Sequence, residues 1–321
     1  MSAASKTKPL VCLMGPTASG KTAAAMELHD EFPVVLISVD SAQVYRHMNI
    51  GTGKPEAAIL ARYPHALLDI VEPEEIYSAA TFAADALAAV EGAWAQDRIP
   101  LLVGGTGLYY RALLEGLHHL PKADANLRQS FEDDARVRGW PAVHARLAAL
   151  DPPTAARLHV NDAQRIQRAL EVCVLTGTRY SDLTASEISP RLAVQPLKII
   201  VSPAERAQLH RRIEHRFLQM LEDGLVTEVQ QLRVRPGIHA ELPSMRSVGY
   251  RQVWSFLEGE MTAAELPSRG IFATRQLARR QLTWLRRERE AQWMDSSGGS
   301  LISNLVDRVR VYLGALDSTC S

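Results

Sequence analysis

The stretch Gly15-Pro16-Thr17-Ala18-Ser19-Gly20-Lys21-Thr22 follows the apolar run Leu10-Val11-Cys12-Leu13-Met14 and precedes an alanine-rich segment at 23–31. Its spacing is that of G-x-x-x-x-G-K-[ST], a loop between strand and helix whose backbone N–H groups turn inward on phosphate oxygens. This predicts a diphosphate cradle. Lys21 supplies a point charge, and Thr22 offers a hydroxyl to Mg²⁺ at a helix N-terminus. The pattern leaves open whether the diphosphate belongs to a nucleotide.

Outward from the loop the same alternation of strand and helix recurs. Residues 34–39 form a continuous apolar run of strand length, as expected of a parallel strand buried on both faces. The run ends in Asp40. Ligands of open α/β sheets sit beyond the carboxyl ends of strands, so Asp40 is expected on the rim of the phosphate loop, followed by Ser41, Gln43 and Tyr45. A helix cap and an outer-shell Mg²⁺ partner are alternative roles for Asp40. Further strands are expected at 66–70 and 99–103, with a helix at 78–95 between them. Gly104-Gly105-Thr106-Gly107 then closes the fourth strand; by itself it reads as a plain turn, or as a place where a ligand approaches the backbone closely.

From 119 to 195 the pattern becomes helix upon helix, and strand character resumes at 197–201. The expected fold class is α/β: a doubly wound parallel P-loop sheet with a helical insertion and a helical C-terminal part. The expected core is discontinuous, 9–118 and 196–295, the insertion is 119–195, and 296–321 forms a tail. A short strand is expected at 291–295 and a helix at 306–316.

The 321 residues suit two domains, and 46% hydrophobic content is ample for a core. No run reaches the roughly 18 apolar residues of a membrane span, and the polar opening at 1–8 lacks the apolar centre of a signal peptide. A cytoplasmic protein is expected. Cys12, Cys173 and Cys320 show neither pairing regularity nor metal-ligand spacing and are expected to be structural thiols. Formal charge is zero, 36 basic against 36 acidic residues, so no global field advertises a polyanionic partner. Distribution matters more. Arg275, Arg279, Arg280, Arg286, Arg287 and Arg289 form a basic stripe, whereas Glu72, Glu74 and Glu75 form an acidic patch.

Within the insertion, Ile166, Leu170, Cys173 and Val174 form an apolar helix face, while Gln164, Arg165 and Arg168 share another. Beyond the fifth strand, Leu209, Ile213, Phe217, Met220 and Leu221 repeat at helical spacing, with Arg212 and Arg216 one turn apart and able to reach the rim together. Met245 to Gln252 carries two arginines, a glycine and an aromatic, a composition suited to backbone contacts with stacking. Trp284, inside the basic stripe, is expected in the core.

Six ordered segments together resemble the tRNA dimethylallyltransferases, also called tRNA isopentenyltransferases. They are GPTASGKT at 15–22, DSAQVYRHMNIGTGKP at 40–55, GGTGLYYRALLEGL at 104–117, NDAQRIQRALEV at 161–172, RSVGYRQ at 246–252 and TRQLARRQLTWLR at 274–286. The departure from the family pattern is Gly53, where alanine is usual. The resemblance implies transfer of a dimethylallyl group from dimethylallyl diphosphate to N6 of the adenine on the 3′ side of a tRNA anticodon. A monomer is expected, with Mg²⁺ as cofactor. The resemblance also implies tRNA contacts, to the anticodon stem-loop, in four segments. These are Asp40, Ser41, Ala42 and Gln43; Gln164, Arg165, Ile166, Gln167 and Arg168; Arg246, Ser247, Val248, Gly249, Tyr250 and Arg251; and Thr274, Arg275, Gln276, Leu277, Ala278, Arg279, Arg280 and Gln281. Thr106 is implied beside the reacting adenine, and Arg128 and Arg216 as contacts to diphosphate or tRNA.

That chemistry makes sense of the residues. An adenine amine is a poor nucleophile, so its attack benefits from an acceptor for its proton, and Asp40 is the expected general base. Charge grows on the leaving diphosphate, where Lys21, the loop N–H groups, Mg²⁺ near Thr22 and arginines are expected to stabilise it. The adenine must leave its stack for a pocket, for which a channel between core and insertion would serve. From residue chemistry alone a P-loop kinase acting on a nucleoside or other small molecule is the rival, since a strand-end Asp beside the loop suits both.

Overall fold

A computed structural model of the chain describes residues 8–185, 188, 192 and 194–318; Cys320 and the opening residues 1–7 lie outside them. In chain order the first unit begins β1 (Val11–Met14), α1 (Lys21–Glu31), β2 (Val34–Val39), α2 (Ala57–Arg62), β3 (His65–Ala66), α3 (Ala79–Ala95), β4 (Ile99–Gly104) and α4 (Gly107–Leu114). The second unit follows, running from Glu115 to residue 190, with α5 (Ala125–Arg138), α6 (Trp140–Leu150), α7 (Pro152–Arg157), α8 (Ala163–Thr176) and α9 (Tyr180–Leu183). The chain then returns to the first unit. It adds β5 (Leu197–Ser202), α10 (Arg206–Glu222), α11 (Leu225–Arg233), α12 (Tyr250–Leu257), α13 (Glu265–Leu285), β6 (Gln292–Asp295) and α14 (Leu301–Ser318).

Six parallel strands form one sheet in the order β3-β2-β4-β1-β5-β6. Their apolar runs are continuous because both faces are covered. Alternate residues serve opposite sides: Leu10, Cys12, Met14, Ile37, Val39, Leu102 and Ile200 pack with Phe82, Tyr110, Phe217 and Tyr250 of the helices on one face. Val11, Leu13, Leu36, Leu101, Val103 and Ile199 pack on the other with Ala24, Ala25 and Leu28 of α1 and Leu305, Val306 and Val309 of α14. The segment expected as a tail thus contributes core residues, worth about 1.5–3 kcal/mol each when fully buried. Tyr312 reinforces this, since its hydroxyl accepts from the Leu10 N–H (3.2 Å) and donates to the Gln195 carbonyl (3.0 Å).

Register places the site. Gly104 pairs with both Val39 and Met14, so the ends of β2, β4 and β1 lie level and deliver Asp40, Gly105 and Gly15 to one rim.

Two sequence expectations are corrected. The third strand stops at Ala66, because Leu67 and Asp69 adopt φ of 64° and 52°, left-handed conformations incompatible with a strand. The following residues pair instead with 43–46, through Asp69 N–H to Gln43 O and Ile70 N–H to Val44 O. In the second unit, Val174 is 47% exposed; Ala169 joins Ile166, Leu170 and Cys173 in a core with Phe131, Val143 and Leu147.

Cys12 and Cys173 are free and buried, and burial pushes the Cys12 thiol up to about 12, which suits an inert structural thiol. Among the described residues no helix is long and apolar enough to cross a membrane.

Candidate active site

The phosphate loop, the end of β2, the β4 turn, α10, the start of α12 and α13 enclose a cavity of about 240 Å³ within the first unit. Thr17 to Thr22, Asp40, Gln43, Gly104, Gly105, Arg216, Ser247, Val248, Gly249, Thr274, Leu277 and Gln281 line it. Gly20 supplies the bend into α1, with φ 95°. Lys21 folds back over the loop, its Nζ donating to the Pro16 carbonyl at 2.6 Å and to Ser19 Oγ at 3.5 Å. Burial draws the Lys21 pKa down to about 7; Asp40 opposes that shift and Arg216 adds to it.

Asp40 holds its own loop and keeps one oxygen in reserve. Oδ1 accepts from Ala42 N–H (2.8 Å) and Gln43 N–H (3.3 Å), whereas Oδ2 has no donor among the described residues. The local turn accounts for one oxygen; residues 41–44 form a turn and the next helix, α2, is capped at Glu56, so Asp40 closes its own turn rather than capping a helix. Beside it, Thr106 Oγ1 accepts from Ser41 N–H at 3.1 Å, tying the ends of β2 and β4.

Arg216 reaches the cavity and donates from Nη2 to the Gly53 carbonyl at 3.2 Å. Gly53 has φ 59°, and a Cβ there would stand 1.6 Å from Arg216 Nη2, so the guanidinium occupies space that an alanine would take. Burial lowers the Arg216 pKa, and Asp40 counters it. Arg212 is spent elsewhere, on Ser296 Oγ (2.9 Å), the Ser296 carbonyl (2.7 Å) and the Ser19 carbonyl (3.4 Å). The two arginines therefore divide their work rather than reaching the cavity as a pair.

The glycines of the β4 turn are filled by protein rather than left open. A Cβ on Gly104 would stand 2.0 Å from the Val39 carbonyl oxygen, one on Gly105 2.3 Å from Gln281 Nε2, and one on Gly107 2.5 Å from the Trp284 ring. Trp284 packs against Tyr110 at 5.9 Å, in accord with the core position expected for it.

Several residues implied as RNA contacts have other work. Ile166, Ala278 and Tyr250 are buried. The Tyr250 hydroxyl donates to Glu228, whose carboxylate also accepts N–H bonds from Asn49 (2.9 Å), Ile50 (2.8 Å) and Gly51 (3.1 Å). Glu228 was missed by motif reading; its signal was a lone carboxylate among the apolar positions Leu225, Val229 and Leu232 of α11. Gln43 steadies the same loop, donating to the Thr52 and Gly53 carbonyls. Gln281 bonds Thr17 and Gly105, and Arg275 pairs with Glu214 at 2.8 Å. Arg246, Arg251, Arg279 and Arg280 are exposed, with no ion pair among the described residues.

Arg128 and 164–168 belong to the second unit. There Arg128 grips Glu171 with two bonds (2.8 and 3.0 Å), and Arg168 adds a third. Burial pushes the Glu171 carboxyl up, but the two arginines outweigh it and hold it below its usual range. Gln167 bonds the Arg128 carbonyl and Glu132, and Arg165 pairs with Asp162. Gln164 and Arg165 point outward. The acidic patch is likewise engaged: Arg235 pairs with Glu72 and Glu74 at 2.7 Å each.

A parallel sheet carrying a P-loop and a strand-end carboxylate on one rim defines the P-loop type of α/β enzyme. The chain belongs to the IPP transferase family, whose model matches residues 43–288. It is 52% identical over 307 residues to the tRNA dimethylallyltransferase of Dechloromonas aromatica (strain RCB), spanning 96% of this chain and 98% of the relative. It is 55% identical over 308 residues to that of Thiobacillus denitrificans (strain ATCC 25259 / T1), with the same coverage. Among solved structures, the full-length tRNA isopentenylpyrophosphate transferase from Bacillus halodurans matches with TM-score 0.71 and 33% identity over 97% of each chain. These relatives favour the prenyl-transfer expectation over the kinase.

Proposed function

We propose that the chain transfers a dimethylallyl group from dimethylallyl diphosphate to N6 of the adenine 3′-adjacent to the anticodon in tRNA. The observation that carries the site assignment is Asp40, with one oxygen fixed by its own turn and the other free, on the same cavity as Lys21 and Arg216. Lys21 and Arg216 face a single carboxylate, and an anion bound beside Lys21 would favour its protonated form, which suits the cavity to an anion. The loop N–H groups, Lys21 and Arg216 hold the diphosphate. As N6 bonds to the allylic carbon, the carbon–oxygen bond to diphosphate breaks and its electron pair leaves on oxygen. Asp40 Oδ2 takes the N6 proton. Thr106, whose hydroxyl takes the Ser41 N–H, follows the cavity-lining Gly105 and is assigned to the acceptor side by the family resemblance.

No group of three His, Cys, Asp or Glu among the described residues suits a metal. Mg²⁺ commonly keeps waters and binds through phosphates with one or two protein oxygens. The Thr22 hydroxyl, exposed on the cavity without a hydrogen bond among the described residues, fits that demand. When bound, Mg²⁺ neutralises charge developing on the leaving diphosphate.

Incubation with radiolabelled dimethylallyl diphosphate and unmodified tRNA tests the proposal. Label on the anticodon-adjacent adenosine, found by nuclease digestion and mass spectrometry, is expected. Unlabelled tRNA with ATP consumed instead would refute it.

A further inference from the structure

Both polar ends of the Gln281 side chain are spent on main chain from two different loops. Oε1 accepts from the Thr17 N–H at 2.8 Å, across 264 residues of sequence. Nε2 donates to the Gly105 carbonyl at 3.2 Å, across 176 residues. The amide offers an acceptor and a donor on two separate atoms at one tip, and neither an ionised carboxylate nor an ammonium can make both bonds. Space is matched as closely as polarity: a Cβ on Gly105 would fall 2.3 Å from this amide and 2.9 Å from the Gly15 carbonyl oxygen.

Thr17 belongs to the diphosphate cradle. Gly105 precedes Thr106, which takes the N–H of Ser41 beside Asp40. We infer that Gln281 is a positioning residue that braces the cradle against the Thr106 turn, fixing the separation between the prenyl donor and the amine that receives the prenyl group. The inference rests on the transfer reading above. It gives Gln281 a role inside the protein, since pairing with RNA would strip two main-chain groups of their partner. A misplacement of about 1 Å between reacting groups can cost about a hundredfold in rate.

Gln281→Ala and Gln281→Glu, made in the full chain, test this. Both variants are expected to keep tRNA affinity and the KM for dimethylallyl diphosphate within about threefold of the parent, while kcat falls about tenfold to a hundredfold. Gln281→Glu retains the acceptor for Thr17 but sets a carboxylate oxygen against the Gly105 carbonyl. Exchange of the Thr17 amide with solvent deuterium, followed by NMR, should therefore quicken about tenfold or more in the alanine variant and stay near the parent rate in the glutamate variant. A tenfold loss of tRNA affinity with unchanged kcat would make Gln281 an RNA contact and overturn the inference, as would unchanged Thr17 exchange in Gln281→Ala. Exchange is read without turnover. A parent protein that labels no tRNA, yet loses Thr17 protection in Gln281→Ala, would keep the brace and reject the transfer reading.

Discussion

At the end of β1, Gly20 turns with φ 95° and its absent side chain would meet nothing nearer than Arg212 Nη1, at 4.0 Å. At the end of β4, Gly105 adopts no such backbone and is hemmed in by Gln281 at 2.3 Å. One glycine serves conformation and the other serves contact. The open loop can present its charge and amides to a ligand, whereas the filled turn fixes distances between parts of the protein. Both lie on one rim because β1 and β4 pair in register.

This contrast can be broken or sharpened by substitution. The largest effect belongs to Asp40, which stands between the turns. Asp40→Ala should lower single-turnover transfer by about 10²–10⁴-fold and leave tRNA binding in place; unchanged turnover would remove it as the base. Gly105→Ala comes next. Its methyl must displace Gln281 and crowd the Gly15 carbonyl, so kcat should drop about tenfold or more, measured with donor and tRNA saturating. Gly20→Ala meets open space but a strained backbone costing about 1–2 kcal/mol. It should lower the melting temperature by a few degrees, and a loss of stability as large as that of Gly105→Ala would erase the distinction. The smallest effect is expected at the exposed Arg280. Arg280→Ala should flatten the slope of log affinity against log salt by about 0.7–0.9, read from tRNA titrations between low and moderate salt.

The sequence made the sheet legible where burial on both faces wrote continuous apolar runs, as at 34–39 and 197–201. It also placed Asp40 and the phosphate loop, because a strand end and a glycine-bearing loop have local signatures. The 66–70 segment misled because apolar content does not reveal left-handed residues such as Leu67 and Asp69. Motif membership said that Tyr250, Ala278 and Ile166 belong to important segments, but it could not distinguish the buried face of a helix from its exposed one. Glu228 and Gln281 act on main chain 177–179 and 176–264 residues distant. No spacing rule reaches that far. Gly53 shows the same limit on a smaller scale, since its want of a methyl group becomes meaningful only once Arg216 is seen in the vacated space.

The bond between Tyr312 and the Leu10 N–H spans 302 residues. A ribosome adding about 5–20 residues per second takes roughly 15–60 s to cover that interval. During that time β1 and its phosphate loop have emerged, yet one flank of their sheet still lacks the Leu305, Val306 and Val309 side chains that will cover it. β1 is thus made well before α14, the helix that covers one of its faces, and that face is closed only once residues 301–318 have been added.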